Sequence, residues 1–157
     1  MKNYQFWLVA GTQTLYGQEA ITQVGKDAKE LADSLNQDAL IPCTVVFKGA
    51  MLDSDSIEDF VIKANADPDC AGIITWMHTF SPSKMWIHGL TRLQKPYLHL
   101  NTQHFRDIPW NEIDMDYMNL HQSAHGDREH GFIGARLRLP RKVIAGHRSD
   151  ENFRRRI

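Results

Sequence analysis

Apolar and polar positions along this chain switch repeatedly between two periods. Tyr4 to Ala10 is a short apolar, aromatic run that ends at Gly11, as a buried strand does. From Gln18 to Asn36 the apolar residues Ile21, Val24, Ala28, Leu31 and Leu35 fall in steps of three and four, the stripe of an amphipathic helix. Pro42 to Phe47 returns to a β-branched run. Ile57, Phe60, Val61 and Ala64 again take helical spacing, with Asp53 or Ser54 as the cap. Ala71 to Trp76 is the most continuous apolar strand. After it, Ser81-Pro82 sets a capping hydroxyl before a proline at a first helical position, and Met85, Trp86, Leu90 and Leu93 form the inner face of the helix that follows. Tyr97 to Leu100 reads as a fourth strand. Asp114 caps a helical stretch through Met118, His121 and Gln122, Gly126 reads as a break, and a second helical piece spans about Arg128 to Leu137. Val143 to Ala145 is a short fifth strand, and the basic tail Arg154-Arg155-Arg156-Ile157 is expected to fray.

Strands alternating with helices imply right-handed crossovers and a parallel sheet. The expected fold is a doubly wound α/β domain, Rossmann/flavodoxin-like, with five parallel strands in the order 2-1-3-4-5 and helices on both faces. Its binding chemistry would gather at the carboxyl ends of the strands. The loops there are Gly11-Thr12-Gln13-Thr14-Leu15-Tyr16-Gly17, Met77-His78-Thr79-Phe80-Ser81-Pro82, Asn101-Thr102-Gln103-His104-Phe105 and Gly146-His147-Arg148. Polar groups beside aromatic rings suit a small polyol.

Composition narrows the classes. The 157 residues are one ordinary domain in size, and a net charge of −1 gives no general attraction to nucleic acid or an anionic membrane. No apolar run approaches the roughly 20 residues of a membrane span. Two cysteines, Cys43 and Cys70, lie beside expected buried strands, which favours a reduced, cytoplasmic setting over a disulfide framework.

The candidate chemistry is modest. The first loop has the position of a phosphate-binding turn without its glycine spacing. Among eight histidines, His121 and His125 are four apart, and His130 follows, with Asp127 and Glu129 nearby. His121, His125 and His130 are ligand types that zinc accepts, but they match no zinc spacing, and hydrogen-bonded histidines are the common case. Phe80 can either face a ligand or pack on Pro82. Trp7, Trp76, Met85 and Trp86 are expected in the core, and Glu112, Asp114 and Asp116 read as helix-dipole complements. No acid–base pair stands out.

Four of these segments also carry a resemblance. Gly11 to Gly17, Trp76 to Trp86, Ile113 to Leu120 and Ala124 to Arg136 resemble, in order and spacing, the N-terminal domain of bacterial L-arabinose isomerase. The similarity extends to Gly146-His147. There the family usually continues with Trp, and this chain has Arg148. The resemblance implies an intramolecular oxidoreductase, an aldose–ketose isomerase that converts L-arabinose to L-ribulose and often D-galactose to D-tagatose in arabinose catabolism. It implies a longer three-domain subunit, a homo-oligomer with active sites between subunits, and manganese held by two Glu and two His of later domains. It also implies that the two glutamates move the proton, so no catalytic residue falls in this chain. The substrate-binding residues by motif match are Gln13, Leu15, Tyr16, Phe80, Gln122 and His125.

On that reading residues 1–147 are the N-terminal α/β domain, 148–157 are the truncated start of the next domain, and the chain alone binds no manganese. The expected partners are the sugar and further copies of the chain, with no nucleic acid and no membrane. Two alternatives stand beside it: a non-catalytic sugar-binding or assembly module, and a self-sufficient minimal isomerase whose metal site uses His121, His125 and His130.

Overall fold

The computed structural model describes residues 4–157. Five parallel strands, β1 (Gln5–Gly11), β2 (Thr44–Met51), β3 (Cys70–Met77), β4 (Tyr97–Asn101) and β5 (Lys142–Ala145), form one sheet in the order β2-β1-β3-β4-β5. The helices are α1 (Gly17–Gln37), α2 (Ser54–Ala66), α3 (Trp86–Arg92), α4 (Met115–Leu120), α5 (Ser123–Arg136) and α6 (Glu151–Arg156). This is the doubly wound α/β fold in the expected order.

Strand alternation sorts the core into two layers. Leu8, Ala10, Ile74, Trp76, Leu98, Leu100 and Ile144 face α1 and α6. Trp7, Val9, Ile73 and Met77 face the other way, toward Ile57, Phe60 and Val61 of α2 and Trp86 and Leu90 of α3. Central strands buried on both faces read as continuous apolar runs, which is why β1 and β3 stand out in the sequence. Asp53 caps α2 in a reciprocal box with Ser56, and Asp114 accepts from the Tyr117 N–H to cap α4, as the polar positions before those helices predict.

Three expectations give way. Gly126 does not break a helix. It lies inside α5, where an added Cβ would come within 2.7 Å of the Thr79 carbonyl oxygen, so its lack of a side chain brings α5 against the loop after β3. The real interruption falls at His121-Gln122, between α4 and α5. The buried residues of α5 are Ser123, Gly126, Asp127, His130 and Gly134, a helical stripe of small and polar residues that apolar periodicity does not register.

Second, Ser81 is not a helix cap. It takes a positive φ of 51°, and the short 3₁₀ turn Ser83–Met85 precedes α3. Third, the basic tail does not fray. It forms α6, whose Phe153 is buried against the α1 layer, while Arg148 pairs with Glu30 at 2.5 Å and Arg154 pairs with Asp38.

Candidate functional site

The loops after β1 and β3 leave the sheet in opposite directions, because α1 covers one face and α3 the other. That switch point between adjacent strands opens a crevice, the usual ligand position in such sheets. Here it is bridged by side chains. Gln13 donates both of its amide hydrogens, to the carbonyls of Phe80 at 2.9 Å and Ser81 at 2.6 Å. The Tyr16 hydroxyl donates to the same Phe80 carbonyl at 2.8 Å. Beneath them the Thr79 hydroxyl meets that of Thr12 at 3.2 Å.

Clamped in this way, Phe80 presents its ring outward, stacked on His125 with centroids 4.2 Å apart and planes 27° from parallel. Ser81 Oγ donates to Glu129 Oε1 at 3.1 Å, and the Phe80 N–H donates to the Asn119 carbonyl at 3.3 Å, so α4 and α5 join the same edge. Leu15 is 79% exposed at the lip. Gln122 sits at the N-cap of α5, where its carbonyl accepts from the N–H groups of His125 and Gly126. The fifth strand's loop closes the row, with the Gly146 N–H donating to the Asn101 carbonyl and His147 Nε2 donating to the His104 carbonyl.

Gln13, Tyr16, Phe80 and His125 therefore form one connected unit, with Leu15 and Gln122 at its margins. Tyr16 and Gln13 spend their donors on positioning Phe80, and Gln13 Oε1 and the Phe80 ring take no part in those bonds. Beside them lies a cleft of about 540 Å³ lined by Leu15, Tyr16, Gln23, Tyr117, Leu120 and His121.

The structure sends His121, His125 and His130 to three different surroundings. His125 stacks on Phe80. His121 lies among His78, His104, Phe105 and Tyr117. His130 is a buried residue of α5, where Nε2 is hydrogen-bonded to the Tyr97 hydroxyl and lies 3.3 Å from the Thr75 hydroxyl. Burial holds His130 well below the usual imidazole range, and it raises the Tyr97 phenol, so both are neutral.

Two buried carboxylates escape sequence reasoning. Asp27 lies in the apolar stripe of α1, three residues after Val24 and directly before Ala28, and its carboxylate meets His78 Nε2 at 2.8 Å. An acid at a core-facing register position was the available signal. Burial works against the Asp27 charge, and the hydrogen bond and charge of His78 overcome it, so its carboxyl falls below the ordinary range.

Asp127 accepts from His99 Nε2 at 2.8 Å and from the Met77 N–H at 3.2 Å. Burial dominates there and pushes its carboxyl up to about 6. A folded-state value above the unfolded value of 3.8 means that folding takes up a proton. The cost of the charged form is absent below about pH 4, grows up to about pH 6, and is full above it. Asp127→Asn is expected to gain roughly 3 kcal/mol relative to the parent chain between pH 4 and pH 7, measured by urea unfolding at both. A difference that does not change with pH contradicts the assignment.

Fold and site together define a doubly wound α/β domain whose polar, ring-bearing crevice lies at the strand carboxyl ends. Comparison with known proteins sharpens this. The sequence matches the L-arabinose isomerase N-terminal domain over residues 1–157, and the chain belongs to that family. It is 57% identical to an L-arabinose isomerase of Thermotoga maritima across all of this chain and 32% of the relative. It is 54% identical to one of Geobacillus stearothermophilus over the same shares, and 58% identical to one of Clostridium beijerinckii over 96% of this chain and 30% of that protein. The chain thus spans about a third of the length of these curated relatives. Among the described residues, no helix is long and apolar enough to cross a membrane.

Proposed function

We propose that this chain is the sugar-orienting N-terminal part of an aldose–ketose isomerase acting on L-arabinose, with D-galactose as a second substrate, in a homo-oligomer. The carrying observation is the clamp by which Gln13 and Tyr16 fix Phe80 against His125, at the crevice of a chain that matches such enzymes along its whole length.

The reaction moves hydrogen between C1 and C2 of an open-chain aldose and exchanges a proton between the two oxygens. It needs an acid–base group at the carbons and charge stabilisation at the oxygens. The residues present fit orientation. A ring face such as that of Phe80 covers the apolar face of a sugar, Gln13 Oε1 accepts from a hydroxyl, and the His125 imidazole can donate to or accept from another. Leu15 and Gln122 limit the opening. A clamp of three hydrogen bonds holds these groups before the ligand arrives, which lowers the ordering cost of binding.

These crevice residues do not fit a manganese ion, which favours carboxylate and other oxygen donors. Glu129 already accepts from Ser81, and His125 is stacked. On this reading the metal and the proton-transferring glutamates come from the remaining length of the family subunit. The test is an isomerase assay of the purified chain with L-arabinose and manganese, with and without chelator. No ketose above the buffer control is expected. Chelator-sensitive turnover by the pure chain overturns the division of labour.

A further inference from the structure

Beneath the crevice, four segments bring nitrogen and oxygen donors to one point. Asp27 comes from α1, His78 from the end of β3, His104 from the loop after β4, and His121 from the C-cap of α4. One ligand atom each from Asp27, His78 and His121 lies within 4.8 Å of the others. The three imidazoles are mutual neighbours, with centroids 5.5 to 6.5 Å apart. His104 Nε2 stands 3.7 Å from the second oxygen of Asp27.

The hydrogen bonding orients His78 for ligation. His78 Nδ1 faces the Leu120 carbonyl at 2.8 Å and must donate to it. That leaves Nε2 as the ring nitrogen that meets the Asp27 carboxylate, at 2.8 Å, where a metal ion would replace the shared proton. An imidazole that donates its other N–H to a backbone carbonyl is the usual state of a metal-binding histidine. Gln23 donates to Asp27 Oδ1 at 2.7 Å and orients that carboxylate in the same way.

His121 supplies the independent observation. Its Nδ1 is buried and has no hydrogen-bond partner among the described residues. A buried ring nitrogen without a partner is costly unless something binds it. His121 and Gln23, which flank Asp27 and His78, line an open cleft.

We propose that Asp27, His78 and His121 form a binding site for a divalent transition metal of the zinc class, with His104 beside its open position. The donor set of two imidazoles and one carboxylate suits zinc or cobalt(II) rather than magnesium or calcium, and three protein ligands with a position left open is a common zinc arrangement. The site is separate from the crevice around Phe80 and does not rest on the isomerase reading. It ties α1, β3 and the α4–α5 junction together, so occupancy would stiffen the base on which the sugar-facing loops stand.

The experiment titrates the purified, metal-free chain with cobalt(II) and with zinc. Expected results are one equivalent bound, a visible cobalt d–d spectrum, a raised Tm, and selective broadening by cobalt of the His78 and His121 ring resonances. His121→Ala should lower the association constant more than about 100-fold, beyond the loss typical of an outer-sphere partner. His88→Ala, on an exposed imidazole of α3, should not change it. Absence of stoichiometric binding overturns the proposal. So does binding that His121→Ala leaves intact, or cobalt broadening centred on other histidines.

Discussion

Trp76→Ala is expected to remove a large share of the stability of the fold. The Trp76 side chain is 1% exposed in the layer between the sheet and α1, and truncation of such a ring costs about 3–5 kcal/mol. Whole domains are stable by only about 5–15 kcal/mol. The indole also has a polar role. Nε1 lies 2.8 Å from the Thr102 carbonyl and 3.1 Å from Ser123 Oγ, and Ser123 Oγ in turn reaches the His78 carbonyl. The variant therefore leaves buried acceptors unpaired just where the loops after β3 and β4 meet the start of α5. Urea unfolding should show a midpoint lowered by about a fifth or more, with any remaining folded chain losing protection first in those loops. A change below about 1 kcal/mol would mean that the ring is not the centre of this layer.

Asp27→Ala is expected to cost a further large amount, about 3–5 kcal/mol, because removing one partner strands the other in a buried pair. The stranded group is His78, which is fully buried and retains only its bond to the Leu120 carbonyl. The pH dependence has a defined sign. The Asp27 carboxyl lies below its ordinary value in the folded chain. Its contribution is therefore present above the unfolded value of 3.8 and is lost as pH falls through the lowered one. The gap between Asp27→Ala and the parent should be full at pH 7 and shrink only in strong acid. This is opposite in sign to Asp127, whose charge burdens the fold above about pH 6. Equilibrium unfolding across pH 3 to 8 separates the two carboxylates. A gap that widens in acid contradicts the Asp27 pairing.

The fold was legible where burial is apolar and regular. The runs around Val9 and Ile74 stand out because both faces of a central parallel strand are covered, and the α1 stripe stands out because one face is. α5 was only partly legible, since its buried side is Ser123, Gly126, Asp127, His130 and Gly134. A glycine that reads as a break is there to admit the Thr79 carbonyl. α6 was obscured because its arginines suggest solvent, while a single Phe153 fixes the turn to the core.

At the crevice, the residues suggested by family resemblance were brought together, but their division of tasks was not visible in sequence. Gln13 and Tyr16 bind backbone carbonyls 64 to 68 positions away, contacts that no local spacing encodes. The Asp27–His78 pair, 51 residues apart, was hidden for the same reason.

The central claim is that the clamped loops after β1 and β3, with α5, form the sugar-facing edge of this chain. The most direct measurement is a two-dimensional NMR titration of the purified chain with L-arabinose, using a non-substrate polyol as control. The account predicts shift changes confined to Gln13, Leu15, Tyr16, Phe80, Gln122, His125 and their immediate neighbours, with the changes lost in Phe80→Ala. Shifts centred elsewhere on the sheet, or an unchanged response in Phe80→Ala, would contradict it.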